Sequence, residues 1–119
     1  MSSPRFMVDA YGCKPSCLED LEGLTQALLE LTHLLRLVPR RAPHVYRFAG
    51  DSADDWGLSG LLSFQGSRLT IHTFPTKSFF SLDFCPAPSD LDARLIQDFL
   101  RDRFGAIRLE LHPLRPQSR

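Results

Sequence analysis

The stretch from Trp56 to Cys85 restricts the fold more than any other part of the chain, because it reads as three consecutive strands. Residues 69–74 alternate between two faces, as a half-buried strand does. A short apolar run at residues 57–64 precedes them, and Gly66 supplies the turn of a hairpin between the two. The third strand is predicted at residues 78–84. Strands spaced this closely leave no room for crossover helices, so they predict an antiparallel or mixed sheet.

Two amphipathic helices are predicted on either side of this stretch. Ser16 caps the first, and Glu19 completes a capping-box pattern. Ser89 or Asp90 caps the second. Leucines at steps of three and four give the first helix an inward stripe, made of Leu21, Leu24, Leu28, Leu31 and Leu35. In the second helix, Leu91, Leu95, Phe99 and Leu100 are expected to face inward. These two helices are predicted at residues 17–37 and 91–104, and the remaining strands at residues 5–11, 44–49 and 106–112.

The predicted order of elements is β-α-β-β-β-β-α-β. It indicates an α+β fold, a two-layer α/β sandwich whose antiparallel or mixed sheet carries two helices on one face. A chain of 119 residues with 43% apolar residues suffices for one core and is too small for two. We therefore expect a single domain over residues 1–119.

Charge and cysteine content exclude several classes of protein. Fourteen basic and 14 acidic residues give a net charge of zero, so no nucleic-acid or membrane partner is expected. No apolar run approaches the length of a membrane span. The three cysteines lack the paired spacing of a zinc site, which predicts no metal and a reduced, cytoplasmic protein.

Four side chains of the central stretch can carry chemistry. Ser67 follows the flexible Gly66 at a strand edge, and His72 lies five residues further on. Cys85 closes the third strand, and Ser59 is expected roughly opposite Ser67 in the hairpin. Adjacent strands would allow these groups to converge. Taken singly, Ser67, His72 and Cys85 each have a structural interpretation, as part of an ordinary hairpin turn, as a strand histidine and as a buried thiol.

The pattern G-x-S-G, followed by S-x-L-T-I-H-T-F-P and L-D-F-C, resembles the core of the prokaryotic S-adenosylmethionine decarboxylase proenzymes. The runs F-M-V-D-A-Y-G-C at residues 6–13 and Y-R-F at residues 46–48 resemble the first two strands of that family. The resemblance extends from Phe6 to about His112. It implies a pyruvoyl-dependent carboxy-lyase that cleaves itself between Gly66 and Ser67.

The resemblance also assigns roles to individual residues. Ser67 becomes the pyruvoyl cofactor, which forms a Schiff base with the substrate amine and accepts electrons as carbon dioxide leaves. Ser59 and His72 assist self-processing, as oxyanion donor and as base. Cys85 protonates the decarboxylated product. Phe48 is expected either to stack on a substrate ring or to pack in the core.

Three positions depart from the family pattern. Gly66 and Arg68 replace a glutamate and a histidine around the cleaved serine, and Thr76 replaces a glutamate associated with ribose binding. Arg68 is a candidate for binding the substrate. Three functions remain open: an S-adenosylmethionine decarboxylase for polyamine (spermidine) biosynthesis, an L-ornithine or L-arginine decarboxylase, and an unprocessed regulatory subunit. In each enzyme the substrate is a small amino-acid-type molecule, and the resemblance implies a homodimer of cleaved protomers.

Overall fold

A computed structural model describes residues 5–88 and 90–114 of the chain. Within them, six strands form one sheet and three α-helices accompany it. The strands are β1 (Arg5–Tyr11), β2 (His44–Ala49), β3 (Trp56–Phe64), β4 (Ser67–Phe74), β5 (Phe79–Phe84) and β6 (Arg108–Leu114), and the helices are α1 (Pro15–Leu18), α2 (Leu21–Leu34) and α3 (Ala93–Phe104).

The strands follow the order β2-β3-β4-β5-β1-β6 across the sheet. Every neighbouring pair is antiparallel, so the sheet is not mixed. This confirms the predicted α+β fold class, and it narrows the sheet to the antiparallel form. The central hairpin, β3 and β4, is held on both sides, by β2 and by β5.

The helices cover one face of the sheet, where they form the core. Gly60 of β3 faces α2 so closely that an added Cβ would lie 3.0 Å from Leu28 Cδ1. On α3, the ring of Phe104 lies 4.8 Å from that of Phe80 on β5. The buried strand residues on this face include Phe6, Val8, Ala10, Leu58, Leu62, Leu69, Ile71, Phe80, Leu82 and Phe84.

The first predicted helix is broken in the structure, which corrects the prediction of one helix starting from Ser16. The short α1 ends at Leu18, whose carbonyl accepts a hydrogen bond of 2.7 Å from the hydroxyl of Thr73 on β4. Asp20 then starts α2 by accepting a hydrogen bond from the backbone N–H of Gly23. The helix therefore ends at Leu18, whose carbonyl bonds to a residue 55 positions away and not to the next turn of a continuing helix.

The ends of the helices also differ from the predicted ones. The helix α2 stops at Leu34 rather than residue 37, and Arg36 adopts a left-handed backbone with φ 60°. The helix α3 is capped by Asp92, not by Asp90, because the carboxylate of Asp92 accepts from Leu95 N. Ser89, the other predicted cap, lies outside the described residues.

The inward stripe of α2 is confirmed at Leu24, Leu28 and Leu31, whereas Leu21 is 39% exposed. The buried stripe of α3 is made of other residues than predicted, except for Leu100. Ile96, Leu100 and Phe104 are its buried residues, and the predicted Leu91, Leu95 and Phe99 are only half-buried. None of the helices in the described part of the chain has the length and apolarity needed to cross a bilayer.

Candidate active site

The face of the sheet turned away from the helices carries most of the chemistry-bearing side chains, and we call it the open face. Cross-strand register places its residues in rows. One row runs from Tyr46 through Ser59, His72, Ser81 and Asp9 to Glu110. No helix of the described residues covers this face.

Ser59 and His72 form the central polar pair of the open face. They are directly opposite in the β3–β4 ladder, and Ser59 Oγ lies 2.8 Å from His72 Nδ1. The hydroxyl donates to Nδ1 in the tautomer that carries its proton on Nε2, and it accepts in the other. Ser59 is only 5% exposed whereas the imidazole is exposed, so the ring stays accessible while the serine holds it in place. Such a pair can pass a proton to or from a bound group.

Ser67 lies at the tip of the β3–β4 hairpin. Gly66 before it has φ 81°, a conformation that glycine adopts without strain. The partner of Ser67 across the ladder is Phe64 rather than the predicted Ser59. The reason is the short turn, which pairs the serine with the last residue of the preceding strand. The peptide bond between Gly66 and Ser67 therefore stands at an accessible turn.

Cys85 follows β5 at the same end of the sheet as Ser67. Its backbone N–H donates to the carbonyl of Arg68 at 2.9 Å, so the two residues are neighbours across the strands. Cys85 is half-buried and Arg68 is exposed. Within the described residues the guanidinium of Arg68 makes no ion pair. A free cation thus lies beside the predicted proton donor.

Arg5 and Asp83 form a charged pair near Cys85 that the sequence interpretation missed. Two hydrogen bonds join them, Nε to Oδ1 at 3.0 Å and a terminal nitrogen to Oδ2 at 2.7 Å. The bonded carboxylate of Asp83, with a smaller contribution from the thiol of Cys85, raises the pKa of Arg5. The alternation of the run L-D-F-C puts Asp83 and Cys85 on one face, but the pairing of Asp83 with Arg5 depends on the contact between β1 and β5, whose residues are 78 positions apart here.

The predicted reactive residues do not converge within one chain. Ser59 and His72 meet in the middle of the β3–β4 ladder, whereas Ser67 and Cys85 lie at its end. His72 lies five positions after Ser67 along β4, which corresponds to roughly 16 Å in an extended strand. One protomer therefore holds the predicted site residues as two separate groups, which we call half-sites.

A second row of the open face consists of aromatic rings. Phe48, Phe74, Phe79 and Tyr11 follow one another with centroid separations of 5.6, 5.9 and 5.1 Å. Gly57 lies opposite Phe48 in the neighbouring strand. A Cβ at Gly57 would collide with the carbonyl of Thr73 on β4, so only glycine lets the two strands come this close here. The predicted ring-stacking residue Phe48 is half-buried at the edge of this row.

Thr76 has a structural contact in place of the family's glutamate. Its hydroxyl donates to the carbonyl of Asp54 at 3.0 Å and so ties the loop after β2 to the segment after β4. This position thus offers no carboxylate to a substrate.

The protein has a two-layer α+β fold with a serine–histidine pair and a cysteine on its uncovered sheet face. Such an arrangement is a scaffold for acid–base chemistry. A sequence model described as S-adenosylmethionine decarboxylase matches residues 4–115. The chain belongs to the S-adenosylmethionine decarboxylase family, a family of decarboxylases (carboxy-lyases), which confirms the resemblance seen in the sequence.

Individual relatives agree with this assignment. The chain is 26% identical over 101 residues to the S-adenosylmethionine decarboxylase proenzyme of Thermococcus onnurineus, covering 85% of this chain and 67% of that protein. It is 25% identical over 111 residues to the proenzyme of Clostridium botulinum (strain Langeland), covering 92% and 90%. The crystal structure of the adenosylmethionine decarboxylase from Aquifex aeolicus superposes with a TM-score of 0.72 at 16% identity, over 100% of this chain and 99% of that chain. This likeness shows the fold.

Proposed function

We propose that the chain is a self-processing, pyruvoyl-dependent decarboxylase that acts on S-adenosylmethionine in spermidine biosynthesis. The observation that carries the proposal is the 2.8 Å contact between Ser59 Oγ and His72 Nδ1 on the open face. A hydroxyl and an imidazole held together supply the oxyanion donor and the base that self-processing requires. Membership in a family whose relatives are named proenzymes supports the same conclusion.

Processing begins at the hairpin tip. The hydroxyl of Ser67 attacks the carbonyl carbon of Gly66, the peptide C–N bond breaks, and an ester forms. Removal of the Cα proton of Ser67 expels the carboxylate of Gly66. Water then replaces the nitrogen, which leaves as ammonia, so that the downstream chain begins with a pyruvoyl group. The exposed turn after a left-handed glycine fits this chemistry, because the carbonyl can be approached without crowding from a side chain.

The pyruvoyl carbonyl supplies the electron sink for decarboxylation of an amine-bearing acid. The residues around it have separate tasks in our proposal. Cys85 delivers a proton to the decarboxylated carbon, and Arg68, exposed beside it, binds an anionic group of the substrate. Phe48 and its aromatic neighbours offer a flat apolar surface to a substrate ring.

Intact mass spectrometry of the purified protein tests the proposal. We expect two pieces, residues 1–66 and a 67–119 piece that lacks the serine nitrogen. Ser67→Ala must leave one uncut chain, and Ser63→Ala, in the opposite strand of the same hairpin, is the matched control that still cuts. A wild-type chain that stays whole on incubation would instead support an unprocessed regulatory subunit.

Cys85→Ala separates processing from turnover. We expect this variant to cut normally and to release carbon dioxide about 10²- to 10⁴-fold more slowly, the range for loss of a positioned proton donor. Cys17→Ala, also half-buried but on α1, is the control. Unchanged turnover of the cut Cys85→Ala protein would remove its proposed role.

A homodimer accounts for the two half-sites. We propose that the open faces of two protomers meet, so that Ser59 and His72 of one reach Ser67 and Cys85 of the other. The roughly 16 Å between the half-sites of one chain supports this arrangement, as does the aromatic row that no described helix covers.

Complementation between two inactive variants tests the dimer. His72→Ala and Ser67→Ala chains each stay whole alone. Co-expressed, they should form mixed dimers in which the His72→Ala chain is cut, because its partner supplies the imidazole. If the residues act within one chain, neither variant is cut in the mixture.

A second substrate class has a specific observation in its favour. The hydroxyl of Thr76 is bonded to the carbonyl of Asp54 and provides no carboxylate for a ribose, while Arg68 makes no ion pair within residues 5–88 and 90–114. L-ornithine or L-arginine is therefore the alternative substrate. Carbon dioxide release from each of the three compounds by the cut protein decides between them. We also propose a cytoplasmic location, supported by the three cysteines, which are all free.

A further inference from the structure

We infer that Asp9, Glu110 and His112 form a binding site for a divalent transition-metal ion at the β1–β6 side of the open face. Each residue offers one ligand atom, and the three atoms lie within 4.8 Å of one another. All three residues are half-buried. The group lies outside the set of residues proposed for self-processing.

The strand register explains why these side chains meet. Asp9 on β1 is directly opposite Glu110 on β6, and His112 lies two residues further along β6 on the same face. The strand β1 pairs with β5 on its other side, so the backbone that holds Asp9 is fixed. Two ligands at alternate positions of one strand and a third on its neighbour form a compact array that leaves further coordination positions for other ligands.

The distance between His112 and Asp9 suits two ligands of one ion. His112 Nε2 lies 3.3 Å from Asp9 Oδ2. Two ligand atoms that are each about 2.1 Å from a tetrahedral ion are roughly 3.4 Å apart. Imidazole favours zinc, cobalt or iron over magnesium, and two carboxylates supply negative charge for a divalent cation. The cysteine spacing that predicted no metal does not bear on this group, because none of its ligands is a cysteine.

Two neighbours shape the site. The hydroxyl of Tyr11 donates to Glu110 Oε1 at 3.3 Å and orients that carboxylate, as an outer-shell partner does. Arg108 competes with a metal ion, since its guanidinium lies 3.5 Å from Glu110 Oε2. It is exposed and can move away at little cost.

Titration with Co²⁺, whose visible absorption changes with its coordination geometry, tests the site in tag-free, EDTA-treated full-length protein. We expect saturation at one ion per chain and competition by Zn²⁺. His112→Gln and Asp9→Asn should each weaken binding by at least about tenfold, and Arg108→Gln should strengthen it. His33→Gln and Asp51→Asn, at exposed positions elsewhere, are the matched controls and should bind like wild type.

Circular dichroism establishes that each variant is folded before the titration. Absence of saturable binding, or equal binding by wild type and His112→Gln, overturns the inference. Glu110→Gln is a third ligand variant, and it should also weaken Co²⁺ binding. The titration is repeated with the uncut Ser67→Ala chain, so that its outcome does not depend on whether the protein processes itself.

Discussion

Thr73 joins three elements of the fold, and its replacement by valine tests how strongly they depend on it. Its side chain is fully buried. The hydroxyl donates to the Leu18 carbonyl at 2.7 Å and accepts from Leu58 N at 2.9 Å. Valine keeps the shape of the side chain but leaves both buried backbone groups without a partner. Each such loss costs about 1–3 kcal/mol, so Thr73→Val should lower the free energy of unfolding by at least about 2 kcal/mol.

Urea unfolding followed by circular dichroism measures this change. Both proteins should carry Ser67→Ala, because a cut chain would unfold into two pieces. The corresponding fall in Tm is roughly 6 °C or more for a domain of this size. Thr70→Val is the matched control, since Thr70 lies on the same strand, is half-buried on the open face and has no side-chain hydrogen bond in the described structure. A Thr73→Val protein within about 0.5 kcal/mol of its parent would refute the reasoning.

Two further predictions concern single groups. Burial raises the pKa of the Cys13 thiol from 9.0 to about 11, so iodoacetamide at pH 8 should modify the other two cysteines of the folded protein and spare Cys13. As pH rises, the thiol of Cys13 loses its proton in the unfolded chain before it does so in the folded protein. The contribution of Cys13 to the free energy of unfolding should therefore fall between about pH 9 and about pH 11. The same pH dependence of stability in wild type and in Cys13→Ala would contradict this. Asp92→Ala should cost about 0.5–2 kcal/mol of stability as the loss of a helix cap, whereas Asp90→Ala should cost almost nothing, and equal effects in urea unfolding would refute the assignment of the cap.

The strands could be predicted because their signal is local. Alternation at residues 69–74 and the glycine turn before them fix a hairpin without knowledge of the rest of the chain, and the observed β4 begins only two residues earlier, at Ser67. The break between α1 and α2 could not be predicted in this way. It depends on Leu18 bonding to Thr73, which is 55 residues away in the sequence.

The same distinction applies to the candidate site. The pairing of Ser59 with His72 depends on the register of the hairpin, and a turn of two residues shifts the partner of Ser67 to Phe64. The sequence pattern identified the reactive residue types but not their separation. The cluster of Asp9, Glu110 and His112 was missed because β1 and β6 lie at opposite ends of the chain and become neighbours only in the folded sheet.

The strand order has a consequence for a chain cut after Gly66. The upstream piece would hold β1, β2 and β3, and the downstream piece β4, β5 and β6. Because β1 is inserted between β5 and β6, the two pieces are interleaved in one sheet and share three seams of backbone hydrogen bonds. Neither piece can leave without dismantling the core of the other. Cutting would thus turn one chain into two pieces whose reassembly after unfolding depends on their concentration. The cut protein would therefore stay folded because it unfolds slowly, and not because its backbone is continuous.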